Sequence, residues 1–473
     1  MRELVWFLSI QGALVSAVAG TQQHPVPMSA LEDSRFGAAQ FNQRIRIEGT
    51  LSELLTGENG ARSVRLHSSR ERLDNSDVFP IDGPIAYTFR SGEAIANLTL
   101  ESSVVIEGIV KNSREVAECK LISVRDHEGP HPAPVLSAGD LKRSQSRLGK
   151  LGSDDLRFEP EKRRLTIDYG WEGESIPSGV LKFLVDSNWA EGVRVHERIE
   201  GQRAQRIVDA LSRVKSLRRL ELNMDVQGLD LRKLRDLPHL TDLVLSSADN
   251  AGDDFIQQLS KLPWLRRLDL SFGNSDQVTP VGFGHLTNCK FLRWCRVRHS
   301  SNVSDAHIRE LANCRKLLEL DVEVTRLDGS CLAALATLPQ IHTLHFKAMP
   351  NAPRSYLGDD FLAESASLRW PSLKRIVLEN DAVSDDGFTK FLGGSWPVLE
   401  DLRFPKSQRL SELAIRSLCK KPPRKLREIA FSNFEVSDDT ALGLKDIRTL
   451  RRFWIPKMSD KARDRLYGLL AEH

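Results

Sequence analysis

The chain has 473 residues, 40% hydrophobic and 28% charged, the composition of a folded soluble protein with enough apolar material for a large core. Its 67 basic side chains against 64 acidic ones leave a formal net charge of +3, so the overall balance calls for neither nucleic acid nor an anionic membrane. The six cysteines show no disulfide framework and no C-x-x-C pair.

In chain order, residues 1–20 read as a secretory signal peptide: Arg2 precedes an apolar run from Leu4 to Ala19 that ends in the small residues Ala17, Val18, Ala19 and Gly20. The run is short for a membrane span, and an uncleaved anchor and an ordinary N-terminal helix stay open as alternatives. Residues 21–40 read as an extended leader. From 41 to 126 the texture is alternating, with five candidate strands at Arg44–Leu51, Ser63–His67, Ile85–Arg90, Val104–Val110 and Val116–Val124 and a short helical piece at Gly92–Asn97. Three strands, a helix and two strands is the order of an OB-fold barrel. Tyr87 and Phe89 share a strand face and read as core, while Arg62, Arg65, Arg70 and Arg72 read as a solvated face.

Residues 127–160 are rich in Pro, Gly, Ser and basic side chains and read as a linker. His127-Glu128-Gly129-Pro130-His131 spells H-E-x-x-H, but that zinc site needs both histidines on one helical face, and Gly129 and Pro130 oppose a helix.

The remainder, 161–473, is periodic. After two degenerate units at Leu165–Asp168 and Val193–Val195, the frame apolar-x-x-apolar-x-apolar opens at Leu217, Leu240, Leu265, Leu292, Leu317, Ile341, Leu373, Leu399, Leu426 and Leu450, in steps of 23 to 32 residues. Alternation makes each frame a strand, with Leu220 and Leu222 on one face and Arg219 and Glu221 on the other. Ser/Asp pairs such as Ser304-Asp305 and Ser384-Asp385 then precede apolar residues at helical spacing and mark helix starts. Capping explains this acidic series more simply than a calcium array does. The polar stretch from Lys457 to His473 predicts a closing helix. The expected fold is an α/β solenoid of about twelve units, with a parallel sheet on the inside of a horseshoe and helices outside, preceded by a small all-β barrel.

These residues resemble the leucine-rich repeats of the ribonuclease-inhibitor-like class. In places they resemble its cysteine-containing subclass, where Cys289-x-x-Leu292 and Cys314-x-x-Leu317 match the C-x-x-L-x-x-L-x-L opening and Val303–Ala306 stands where the helix-start motif stands. Residues 41–126, with IEGTL, IEGIV and the closing Cys119-Lys-Leu strand, resemble the small bacterial OB domains called tRNA-anti-like. The repeat resemblance implies a binding scaffold.

Cys295 and Cys331 read as small core residues. Cys289 and Cys314 occupy equivalent positions one repeat apart, so either a stacked thiol pair or a disulfide is open. His342 and His345 lie three apart on a strand and face opposite ways, so they share no metal. No phosphate-binding glycine loop and no G-x-S-x-G is present, and neither catalysis, a metal nor a cofactor is expected.

What remains is the outward face of the strands, whose charges read mainly as cross-strand ion pairs. Within it, Trp294, Arg296 and Arg298 on the fourth frame, Asp321 and Glu323 on the fifth, and His345 and Lys347 on the sixth are the candidate partner-binding residues, with Trp294 as an outward ring that either anchors a partner or packs on Arg267. The expectation is an exported or envelope-associated, bacterial-type, non-catalytic scaffold that binds a protein on its concave face. The alternative is nucleic-acid or oligosaccharide binding through the OB-like domain.

Overall fold

The computed structural model describes residues 190–471 except 249, 274–276, 350–356, 381, 432–433 and 456; before residue 190 it describes the strands named below, with residues 146, 182–183 and 185–186. Contacts divide the chain into two units. The first comprises Met1–Glu197, Ile207–Glu221 and Asp236–Leu240, and the second Arg198–Arg206, Leu222–Arg235 and Thr241–His473.

In the first unit, backbone pairing joins β1 (Val26–Pro27), β2 (Arg44–Thr56), β3 (Arg62–His67), β4 (Ala86–Phe89), β5 (Ser103–Asn112) and β6 (Glu115–Arg125) in the order β1-β2-β3-β4-β6-β5. β2 also pairs antiparallel with β5, and β4 pairs parallel with β6. The side chains of these strands, the predicted helical piece at 92–97 and the H-E-x-x-H stretch lie outside the described residues. β7 (Leu156–Glu159), which falls at the end of the stretch read as linker, pairs antiparallel with β8 (Arg164–Ile167), and β8 pairs parallel with β9 (Gly192–Ile199). The degenerate frames are thus strands, with Leu165, Ile167, Val193 and Val195 buried.

β10 (Arg219–Met224) has residues in both units. The second unit continues with β11 (Asp242–Leu245), β12 (Arg267–Ser271), β13 (Trp294–Ser304), β14 (Glu319–Arg326), β15 (Thr343–Ala348), β16 (Arg375–Glu379), β17 (Asp401–Phe404), β18 (Glu428–Phe431) and β19 (Arg452–Trp454). Each pairs parallel with the next in sequence order. The alternation predicted from the frame fixes the register: Leu268, Cys295, Leu320, Leu344, Ile376, Leu402, Ile429 and Phe453 stack as one inward row. All are buried, and phenylalanines fill the next inward row toward the C-terminal end. There Phe404 and Phe431 stack with centroids 6.0 Å apart, and Phe388 from a helix packs edge-on to both. The array is a leucine-rich-repeat α/β solenoid.

The helices cover the inward row. Several begin where the Ser/Asp signal predicts, as at Asp305–Glu310, Asp385–Leu392 and Asp438–Gly443, whereas Pro280–Gly284 and Leu332–Leu335 start without it. Serine and acid divide the work: Ser384 and Ser437 cap their own helices by accepting from the backbone N–H groups of Gly387 and Thr440, whereas the acid one residue later ties the next repeat down. Asp359 accepts from the backbone N–H and hydroxyl of Ser384 (2.8 and 2.6 Å), Asp385 from those of Ser411 (2.9 and 2.6 Å), and Asp253 from those of Thr279 (2.7 and 2.6 Å). Asp305 accepts three backbone N–H groups, from Asp328, Gly329 and Cys331. A side chain at Gly387 would collide with the carboxylate of Asp359, and one at Gly282 with that of Asp253; glycine is required there by the close approach of the rung. Where Pro280 takes the place of the acid, His307 reaches back instead, accepting from the N–H of Ser304 at Nδ1 (3.2 Å) while Nε2 donates to the carbonyl of Val278 (3.1 Å). Burial holds His307 below the usual histidine range, so the neutral ring suits this contact.

The position three residues before each strand-opening leucine closes the preceding helix. The indoles of Trp370 and Trp396 donate to the carbonyls of Ser365 (2.9 Å) and Phe391 (2.8 Å). Cys289 and Cys314 hold the same place three repeats earlier. Both are free, buried thiols, Cys314 facing the carbonyl of Leu286 at 3.6 Å, and burial pushes each up to about 12.

Candidate functional site

The face of the sheet away from the helices presents two full rows and part of a third. Asp242, Arg267, Trp294, Glu319, Thr343, Arg375, Asp401, Glu428 and Arg452 form the first, and Val244, Asp269, Arg296, Asp321, His345, Val377, Arg403, Ala430 and Trp454 the second. Parallel pairing sets neighbours on this face about 4.8 Å apart, so opposite charges placed on adjacent strands meet without any loop having to position them.

The seven residues singled out from sequence do come together, but at very different depths. Trp294 is only 6% exposed, because the guanidinium of Arg267 lies over its ring with the carbon 4.6 Å from the centroid. Of its two expected roles, packing on Arg267 is the one the geometry takes. Its indole N–H is buried and has no hydrogen-bond partner among the described residues. Arg298 makes a two-pronged contact with Asp269, both nitrogens at 3.0 Å. Arg296 lies 2.8 Å from Asp321 across the strand gap, but off the line of a hydrogen bond, so charge attraction rather than a directed bond joins them. Lys347 reaches Glu323 at 2.9 Å.

At the centre, His345 sits between two carboxylates, 3.4 Å from Asp321 through Nδ1 and 3.1 Å from Glu379 through Nε2, with its side chain 5% exposed. Burial disfavours the imidazolium, but the two acids outweigh burial and raise the ring to about 9. The converse holds for its partners. Burial works against ionising Asp321 and Glu379, yet His345 on both, the arginines near Asp321 and Lys406 near Glu379 hold them below the usual range, Glu379 at about 2. Asp269 goes the other way: burial, reinforced by the charge of Asp321, pushes its carboxyl up despite Arg298 and Arg296.

Glu379, Arg375, Asp401, Arg403 and Glu428 lie on this face as well, and the last four form a further chain of the cross-strand ion pairs expected there. Arg375 lies 2.7 Å from Asp401, and Arg403 donates to both Asp401 (2.9 Å) and Glu428 (3.0 Å). The alternating signs along successive strands were the available signal for this chain of pairs. The acids lie at the bottom of the face and the longer basic side chains over them, so what solvent meets is chiefly the outer ends of Arg296, Arg298, Lys347, Lys406 and Arg452. Trp454, on the last strand, is 45% exposed.

No protein-family model matches the chain, and no curated protein matches it. Among solved structures, an internalin of Listeria monocytogenes is similar over 70% of this chain and 92% of its own, at 15% identity and a TM-score of 0.39. The yeast Rad7 and Elc1 complex supplies a second, similar over 56% of this chain and 80% of that one, at 16% identity and a TM-score of 0.34. At these values neither likeness bears on function.

Proposed function

We propose that this chain is a non-catalytic scaffold that docks a protein partner on the open face of its repeat sheet, and that it works outside the cytoplasm after export directed by residues 1–20. The observation that carries the docking reading is the state of that face: its carboxylates are fixed and neutralised in advance, while arginines and one tryptophan remain accessible above them. Fixed, paired charges cost little to reorganise on association, and Trp and Arg are the residues most often found at the energetic centres of interfaces. Trp454 and Arg452 are the first anchors in this reading, with Arg296, Arg298 and Lys347 contributing their exposed ends and Asp321, Glu323 and His345 holding them in place. Trp294 supports Arg267 from below.

The test is recovery of partners from the native envelope fraction by the full chain, the Trp454→Ala/Arg452→Ala double variant, and Asp254→Ala on the helix side. A protein retained by the wild type and by Asp254→Ala but lost by the double variant supports the reading; equal recovery by all three removes the site from this face. Export predicts a mature N-terminus near Gly20 or Thr21, and a cytosolic form starting at Met1 contradicts it.

A second reading rests on the strand order of residues 41–126, where β2 closes onto β5 and β4 runs parallel to β6. That order supports an OB-like barrel and with it an oligonucleotide or oligosaccharide site in the first unit.

A further inference from the structure

The formal charge of +3 conceals a separation of charge within the second unit. Because every strand is parallel to the next, the turns that lead from each helix end into the following strand all fall on one edge of the sheet. A ladder of backbone hydrogen bonds ties them together, from Arg293 to Arg266 through Lys374 to His342 and on to Arg451 and Arg427. This edge carries the exposed side chains of Lys261, Lys290, Arg315 and Lys374, one repeat after another. The opposite edge, where the helices start, carries the aspartates described above. The helix macrodipole accounts for part of this, since a helix end favours about half a compensating charge.

It does not account for the two last turns. Lys420, Lys421, Arg424 and Lys425 crowd the turn into β18, and Lys445 and Arg448 stand in the turn into β19; all six are exposed. Among the described residues none of the six forms an ion pair, and Lys421 donates only to the carbonyl of Gly393 at 3.2 Å. Two acids stand near them: Asp446, exposed between Lys445 and Arg448 and close enough to Cys419 for its charge to act on that thiol, and Glu400, 3.7 Å from Arg427. These two acids leave an excess of cations at the two turns, which repel one another, and an anionic ligand would relieve that repulsion.

We propose that this basic edge, centred on Lys420–Lys425, binds a linear acidic polysaccharide, carboxylated or sulfated, laid along the turns. Four physical points select that class. A lysine-rich patch is poor material for a protein interface, from whose core lysine is depleted. A bilayer contact needs apolar side chains to insert, and the exposed large hydrophobic residues of the described chain, Val281, Leu413, Trp454 and Tyr467, lie in none of these turns. Single-stranded nucleic acid is held by stacking its bases on aromatic rings, but Trp396 is buried in the preceding turn, and Trp264 and Phe291 lie on distant repeats and pack on each other at 5.4 Å. Successive turns are spaced by about 4.8 Å where they enter the strands and by about 8 to 10 Å where they leave the helices, about one to two pyranose units, so a polymer with an anionic group on each sugar or every second sugar reaches from one turn to the next. The inference rests on this edge alone and is independent of the open-face reading.

The experiment measures binding of the full chain to a heparin dodecasaccharide and to a polygalacturonate dodecamer, beside single-stranded and duplex DNA of equal charge, by fluorescence anisotropy. Binding to at least one saccharide that weakens steeply between about 50 and about 200 mM salt is expected, as for any ligand that releases counterions. Reversal at Lys420→Glu, Lys421→Glu, Arg424→Glu and Lys425→Glu together should weaken it at least about tenfold with the melting temperature unchanged, whereas the lysine-to-arginine set at 420, 421 and 425 and the open-face variant Arg452→Ala keep it. The proposal is overturned if neither saccharide binds, if the reversed variant binds as the wild type does, which would move the site to the first unit, or if either DNA binds more tightly than both saccharides at the same salt.

Discussion

Replacing His345 with glutamine removes the one cation that neutralises both Asp321 and Glu379, and the consequence can be worked out as a function of pH. The ring is raised from 6.5 to about 9 in the folded chain, so the folded state binds the proton more tightly than the unfolded state. Stability from this group is therefore fully present below pH 6.5 and is lost as pH rises through about 9. A shift of this size corresponds to about 3 kcal/mol at about 1.4 kcal/mol for each pH unit. On the acid side, Glu379 is lowered from 4.5 to about 2, so its contribution is present above 4.5 and is lost as pH falls through about 2. The two windows report the same contacts from opposite sides and are not added. Urea unfolding of wild type and His345→Gln at pH 6 and pH 8.5 isolates the histidine, and staying below pH 9 avoids the buried cysteine thiols, whose pKa values burial raises. The wild type should lose about 2 to 3 kcal/mol more than the variant across this interval. Parallel profiles would refute the placement of a charged imidazole between the two acids.

Asp359→Ala removes two charge-assisted hydrogen bonds to Ser384 and should cost about 2 to 3 kcal/mol, whereas the exposed Asp360→Ala next to it should cost well under about 1; equal losses in thermal melts would remove the inter-repeat role of the first acid. Trp294→Ala empties the space beneath Arg267 and should cost about 3 kcal/mol or more, while Trp294→Phe keeps the ring, discards an unpaired indole N–H and should stay within about 1 kcal/mol of wild type. If chemical denaturation ranks these two alike, the ring is not packed as described. Leu320→Asp places a carboxylate in the inward row, where Leu320 is fully buried, and should cost several kcal/mol; an unchanged melting temperature would overturn the strand register.

Much of the repeat unit was legible because its signals are local and periodic. The leucine frame fixes which face of each strand is inward and carried directly into the register of β11 to β19, and Ser/Asp before an apolar run fixes where several of the helices start. What stayed hidden was pairwise and long-range in sequence. The frame places Trp294 outward, but its burial depends on Arg267, 27 residues earlier and directly opposite in the register. Likewise Asp359 reads as a cap for its own helix, and only the stacking of repeats brings it to Ser384. His345 had charged neighbours in the sequence columns, yet its diagonal contact with Glu379 across a strand gap depends on side-chain reach. The basic edge escaped notice because a sum over the whole chain cancels charges that parallel strands sort to opposite edges.

The central claim is that a partner docks on the open face of the repeat sheet. Once a partner is recovered from the envelope fraction, its affinity for wild type, for Trp454→Ala/Arg452→Ala and for Asp254→Ala on the helix side decides the matter by titration calorimetry. The open-face double variant should lose about 2 kcal/mol or more, at least about thirtyfold in Kd, with Asp254→Ala matching the wild type. An unchanged Kd for the open-face variant, or a loss confined to Asp254→Ala, would contradict the account.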